Sequence, residues 1–225
     1  MSRPAPAGAA RPRSHQDGGE PEVVSKSRME AFSDGVIAVA ITLLVLNITV
    51  PPPNTTTHLA RALANNWQEY AAYATSFITI GIIWINHHAM VGRLRQPDHA
   101  ILMLNQLLLL WVGVLPFATN LFAQYLKQGH GESLAAAVYS GSFLAMPVTF
   151  AAFNHHVLFP KAHLLEGKLS EEQRRRILGR TVTGLIPYAI ATALALVSPY
   201  ITLAICVAVA AFYALPIASG TEPSS

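Results

Sequence analysis

The sequence predicts an all-α membrane protein with six transmembrane helices and both termini cytoplasmic. Three observations carry that prediction. Charged residues are 12% of the chain and hydrophobic ones 52%, where a soluble domain carries about 25% charged residues. The apolar residues gather into six runs close to the roughly 20 residues that span a bilayer core. The basic residues are spread unevenly among the connections between those runs. Lipid offers no partner to open backbone groups, so such runs cross as helices.

Residues 1–25 are rich in Pro, Gly, Ala and charge. They lack even the roughly 7-residue apolar stretch of a cleaved signal peptide, which predicts a disordered tail. The first span is expected over residues 29–50. Its uncharged part, residues 35–50, reaches spanning length only if the helix begins inside the polar signature Arg28-x-x-x-Phe32-Ser33-Asp34-Gly35. Arg28 and Asp34 then sit at or just inside one membrane face, where ionisable groups are costly and mark a function with a partner nearby. Further spans are expected over residues 68–88, 100–125, 133–156, 177–197 and 200–218. Pro116, Pro147, Pro187 and Pro216 fall within or near the ends of later spans, and Ser198-Pro199 makes the last two a tight hairpin. Residues 26–218 thus form one membrane domain, followed by a short tail over residues 219–225.

Orientation follows from lysine and arginine. Arg3, Arg11, Arg13, Lys26 and Arg28 precede or open the first span, and Arg93 and Arg95 follow the second. Lys161, Lys168, Arg174, Arg175, Arg176 and Arg180 follow the fourth, leaving only Arg61 and Lys127 for the opposite side. By the positive-inside rule both termini and the even-numbered loops are cytoplasmic. The net charge of +3 is therefore read as topology and not as a nucleic-acid surface. The Arg174–Arg176 cluster is foremost a topology determinant that touches anionic lipid.

Enzyme signatures are missing: the chain has no H-E-x-x-H, G-x-S-x-G, P-loop or dinucleotide fingerprint. A single cysteine, Cys206, excludes an intrachain disulfide and a four-cysteine metal site. No catalytic activity and no cofactor are expected. Asn86-His87-His88 and Asn154-His155-His156 end the second and fourth spans. Adjacent helical residues point about 100° apart, so His87 and His88 are poorly placed to share one ion. Hydrogen-bonded helix-end histidines are favoured, with metal binding and pH sensing as the alternatives.

On the first span Val39, Leu43 and Leu46 recur at i, i+4 and i+7, with Thr42 beside them. Such a stripe is a helix-packing seam or a pore lining, and periodicity does not separate the two. Arg28 and Asp34 are six apart and lie on different faces. Each is placed to pair with other helices, and Trp84, His87, His88 and Asn105 are the candidate partners at the same membrane face. A buried aspartate of this kind ties helices together or touches ions directly.

At these residues the chain resembles the bacterial relatives of the endosomal and lysosomal potassium channel, the transmembrane protein 175 family. The resemblance rests on Arg28-x-x-x-Phe32-Ser33-Asp34-Gly35 followed by the stretch from Val36 to Leu46, and on Trp84-x-x-His87-His88. It covers about residues 26–218. It implies a homotetramer in the bacterial plasma membrane whose four first helices surround a potassium-permeable pore. It further implies a constriction at Val39, Leu43 and Leu46, a selectivity layer at Thr42, and a signature that packs against the second and third helices. Like the family, the chain has no T-V-G-Y-G filter. Relatives commonly carry Ile or Leu where Val39 stands, which implies a wider closed gate here. Two other classes are carried alongside: a proton-coupled secondary transporter using Asp34 and the histidine pairs, and a structural or sensor membrane protein.

Overall fold

The computed structural model describes residues 25–53, 58–167 and 169–215. The expected tails, apart from Ser25, lie outside the described residues, as do Lys168 and Pro216. Among the described residues the chain is helical, with one isolated antiparallel bridge between Leu94 and Leu165.

Helix α1 (Lys26–Leu44) starts where the Ser25 side chain accepts from the Arg28 amide, and runs into a 3₁₀ turn over Val45–Asn47. The helix ends short of the expected residue 50. Val50 precedes Pro51-Pro52-Pro53, and a residue before proline is biased out of the helical region. A short helix α2 (Leu59–Ala64), absent from the sequence expectation, leads into α3 (Trp67–Val91). Helix α4 (His99–Tyr125) carries Pro116 inside it, and α5 (Glu132–Leu158) carries Pro147.

The expected fifth span is two helices, α6 (Glu171–Thr183) and α7 (Leu185–Leu194), separated at Gly184. Helix begins earlier than residue 177 because Ser170 and Gln173 form a reciprocal capping box, so the Arg-rich turns become helical as well. Helix α8 (Pro199–Ala214) starts with Ser198 as cap and proline in its first turn, where the missing N–H costs nothing.

Among the described residues five segments are long and apolar enough to cross a membrane: Lys26–Asn47, Trp67–Val91, His99–Tyr125, Glu132–Leu158 and Glu171–Leu194. Helix α8 has 16 residues, about 24 Å of helix against a core of about 30 Å. Helices α4 and α5 pack most extensively on each other, α1 lies against α3 and α4, and α8 against α3 and α7.

A polar pin joins α3, α4 and α5. The Ser76 and Thr119 hydroxyls are 2.8 Å apart, and the Tyr139 hydroxyl lies 3.3 Å from Ser76 Oγ and donates to the Ala72 carbonyl at 3.3 Å. Phe122 stacks on the Tyr139 ring at 4.7 Å and Phe143 meets it edge-on at 4.6 Å. All three rings are fully buried.

At the Ser25 end of α1 the connections are fastened to one another. The Arg95 amide donates to Leu164 O and the Glu166 amide to Arg93 O, both at 2.7 Å. Lys26 Nζ donates to Gly92 O at 2.9 Å and lies 3.6 Å from Glu166. Asp98 caps α4 by accepting from the Ile101 amide at 2.8 Å, with His156 Nε2 at 3.3 Å and Lys161 Nζ at 3.6 Å. Partial burial opposes its charge, but the Ile101 amide, His156 and Lys161 outweigh it and hold the carboxyl below the usual carboxylate range. A depressed pKa contributes stability that is present above the usual carboxylate value and lost as pH falls through the lowered one. Asp98→Ala is expected to cost about 0.5–2 kcal/mol through the lost cap. Asp98→Asn should keep most of the cap and flatten the acid limb of apparent melting temperature against pH. An acid limb identical to that of the unsubstituted protein would remove Asp98 from that dependence.

Candidate functional site

Helix α1 has two unlike faces. Met29, Ser33, Ile37, Ala40 and Leu44 are buried and form the face that packs on α3 and α4. On the other side Arg28, Phe32, Gly35, Val39, Thr42 and Leu46 are all exposed. They recur at alternating intervals of four and three residues, the 3.5-residue period of a helix seam that meets copies of itself. Leu43 flanks that line and is also exposed. Exposure along it is large for apolar side chains: Phe32 52%, Val39 58%, Leu46 75%.

The stripe borders an open groove of about 540 Å³ between α1 and α4, lined mainly by Ala31, Phe32, Val36, Val39 and Leu43. Gly35 and Gly113 also line it, and a Cβ added at either would meet nothing within 4 Å. Thr42 Oγ1 donates to the Val39 carbonyl at 2.8 Å. That bond turns the proton inward, onto the helix, and leaves the oxygen lone pairs to face outward.

The buried face is held by a directed chain of hydrogen bonds. His87 Nε2 donates to Asn105 Oδ1 at 2.7 Å, because an amide oxygen only accepts. Asn105 Nδ2 donates to Ser33 Oγ at 3.0 Å, and Ser33 Oγ donates to the Met29 carbonyl at 2.8 Å. Ser33, His87 and Asn105 are 0%, 1% and 2% exposed. A second, shallower tier lies beside it. Trp84 Nε1 donates to Asp34 Oδ1 at 2.8 Å, and the Trp84 and His88 rings are 6.0 Å apart.

His88 pairs with Glu30 at 3.4 Å, not with Asp34. Glu30 was missed in the sequence, although it stands four residues before Asp34, on the same helix face. Arg28 is exposed at the start of the seam. The two histidine motifs differ in role. Asn86 donates to its own helix at Ile82 O, while the buried Asn154 donates across to Thr181 Oγ1 at 3.0 Å. Among the described residues no three His, Cys, Asp or Glu side chains are grouped to hold a metal.

The far end of α1 is fastened by residues the sequence reading did not single out. Asn47 Nδ2 donates to the Pro116 carbonyl at 2.8 Å. The buried Glu69 carboxylate accepts from the Thr49 amide and from Lys127 Nζ, both at 2.7 Å, and Lys127 also donates to Asn66 Oδ1 at 2.9 Å. The available signal was a lone carboxylate and a lone lysine at the same end of neighbouring spans.

Depth separates the two tiers energetically. Asn105→Leu orphans His87 Nε2–H in a buried site, at about 1–3 kcal/mol for a group left unpaired, while the Ser33 hydroxyl keeps its bond to the Met29 carbonyl. Trp84→Phe leaves Asp34 with access to water. The apparent melting temperature in detergent should fall much further for Asn105→Leu than for Trp84→Phe; equal losses would place the structural weight outside the buried chain.

Comparison with known proteins concentrates on these elements. The family described as endosomal/lysosomal potassium channel TMEM175 matches residues 28–116, from the signature through α3 to the middle of α4. A Streptomyces collinus protein named as a potassium channel is 41% identical over 177 residues, 79% of this chain and 85% of the relative. A Chamaesiphon minutus protein, also named as a potassium channel, is 38% identical over 197 residues, covering 87% and 96% of the two chains. The crystal structure of a lysosomal potassium-selective channel TMEM175 homolog from Chamaesiphon minutus superposes with a TM-score of 0.74 at 36% identity, over 84% of this chain and 96% of that one. With alignments of this identity running through both halves of the molecule, the chain belongs to the TMEM175 family, a family of multi-pass membrane channels and not of enzymes.

Proposed function

We propose that the chain is one subunit of a homotetrameric, potassium-permeable cation channel of the bacterial plasma membrane, with four copies of α1 surrounding the path. The observation that carries this reading is the exposed 3.5-residue seam of α1 from Arg28 to Leu46. A helix fixed on one face and exposed on the other from Phe32 to Leu46, with one hydroxyl set among apolar side chains, suits an axis shared by identical copies. The Gly35–Gly113 groove gives a neighbouring copy room to approach. The names of the bacterial relatives support potassium as the ion.

The proposed channel unit is residues 26–218 with six spans, α8 being the sixth. Lys26, Arg28, Arg93, Arg95, Lys161 and the α6 arginines gather at the Ser25 end, against Arg61 and Lys127 at the other. The Ser25 end is therefore assigned to the cytoplasm. Asp34 and His87 are each engaged by a neighbouring helix, which weighs against their serving as proton carriers of a transporter.

Conduction past Val39, Leu43 and Leu46 is governed by hydration. Burying a bare monovalent cation among apolar side chains costs tens of kcal/mol, so the ion passes partly hydrated through an opened ring. Closure is loss of water from that ring. Thr42 supplies the one layer of oxygens, and the inward Thr42–Val39 bond aims their lone pairs at the axis. Replacing part of a hydration shell favours the more easily dehydrated potassium over sodium, with modest selectivity.

Planar-bilayer current with potassium on one side and sodium on the other tests the reading. The reversal potential should shift towards the potassium equilibrium value, and Thr42→Ala should bring it back towards zero. Unchanged potassium preference in Thr42→Ala would remove the hydroxyl layer from selectivity. Val39→Ile adds a methylene per subunit and should reduce current severalfold; unchanged conductance would remove Val39 from the constriction. Cross-linking that stops at dimers would overturn the arrangement of four copies.

A further inference from the structure

A second open groove, of about 580 Å³, lies between the α6–α7 segment and α8. We propose that it binds an anionic phospholipid, with an acyl chain between α7 and α8 and the headgroup phosphate held by Arg180. The proposal does not draw on conduction. The groove walls used by the argument are Thr183, Ile186 and Pro187 on one side and Ile205, Phe212 and Tyr213 on the other. Ile186 and Phe212 are more than half exposed in the protomer.

The backbone explains why the surface is concave there. Pro187 has no N–H to give the Thr183 carbonyl, and α6 gives way to α7 at Gly184. A Cβ at Gly184 would come within 3.0 Å of the Tyr213 hydroxyl, so glycine lets α8 close against the junction. The two helices meet at that point and leave the Thr183–Pro187 face open beside it.

Charge selects the occupant. Arg176, Arg180, Thr183 and Pro187 are spaced by four, three and four residues, so the arginines stand on the helix face that runs down into the groove. Arg175 and Arg176 are each paired four residues back, with Glu171 at 2.6 Å and Glu172 at 3.0 Å. Arg180 is exposed, and among the described residues no carboxylate lies within ion-pair distance of it. It is also the last charged residue before the apolar α7, which sets its guanidinium at headgroup depth above an apolar trough. Basic positions between helices at a membrane face are the recognised pattern for acidic headgroups, and Phe212 and Tyr213 add interfacial aromatics. An apolar trough alone accepts any lipid; an uncompensated arginine at its rim favours a negatively charged one.

Native mass spectrometry of the purified full chain, released from micelles doped with equal phosphatidylglycerol and phosphatidylcholine, tests this directly. The protein should retain phosphatidylglycerol severalfold over phosphatidylcholine. Arg180→Gln should bring that ratio close to one, and Arg180→Lys should preserve most of it. Arg175→Gln, on another face of α6, should leave it unchanged. Ile186→Trp, filling the trough, should reduce retention of both lipids, with elution volume confirming that each variant folds and assembles. Equal retention of both lipids by the unsubstituted protein, or an Arg180→Gln ratio unchanged from it, overturns the proposal. A smaller assembly for Ile186→Trp also overturns it, because a second copy of the chain would then cover this face.

Discussion

A serine, a histidine and an asparagine sunk in an apolar helix packing have no water to turn to, and the rest of the structure depends on how they satisfy one another. His87 donates to Asn105, Asn105 to Ser33, and Ser33 to its own helix. The two bonds between helices need a particular rotation of α1, α3 and α4, each about its axis. Turning α1 by one residue, about 100°, would carry Ser33 away and bring Phe32 or Asp34 against Asn105. The cost of orphaned polar groups in a low-dielectric interior makes this register close to unique. Once Ser33 is held inward, Arg28, Phe32, Gly35, Val39, Thr42 and Leu46 are committed to the outside. The buried chemistry of α1 thus determines which side chains its free face presents.

The two ends of α1 are fastened by different physics. At the Ser25 end, partly exposed contacts add to the buried chain: Trp84 with Asp34, Glu30 with His88, Lys26 with the Gly92 carbonyl. At the far end the buried Glu69 carboxylate, paired with the more exposed Lys127, holds the Thr49 amide, and Asn47 reaches the Pro116 carbonyl. The lysine keeps access to water, but removing it would leave the buried Glu69 carboxylate without its cationic partner. The pair's main effect here is to define where the chain goes after the 3₁₀ turn. A helix held at both ends and along one side can respond to a stimulus only by small rotations or by movement of the elements that hold it. For the proposed pore, that favours closure by a narrow ring of side chains over displacement of a whole helix.

The all-helical class, the membrane character and the positions of the long spans were readable from hydropathy, because a bilayer imposes length and apolarity directly on sequence. Counting along the spans also placed Ser33, Asp34, Trp84, His87 and Asn105 at one level, and the structure brings them together there. Which of them bond to which was not readable, since that depends on helix rotation; His88 joins Glu30, and Asp34 takes the indole. Of the Glu69–Lys127–Thr49 clamp only the carboxylate and the lysine at one end of neighbouring spans were legible; the bond to the Thr49 amide depends on tertiary packing. The division of the fifth span at Gly184 and the helical state of the Arg-rich turn were hidden for another reason. Hydropathy sees apolar content, and capping at Ser170 extends a helix well beyond it. The stripe of Val39, Leu43 and Leu46 could be recognised as a face, but the continuous seam from Arg28 to Leu46 emerged only when burial divided α1 in two.

The central claim is that the free face of α1 meets the ion path while its other face is packed. Single-cysteine accessibility along α1, measured as loss of bilayer current on adding a small cationic thiol reagent, tests it most directly. Cys206 is buried and makes a suitable silent background. The account predicts block with cysteine at Val39, Thr42 and Leu46, and none at Ile37, Ala40 and Leu44. Block that ignores this division, or current untouched at all six positions, would contradict it and move the ion path away from α1.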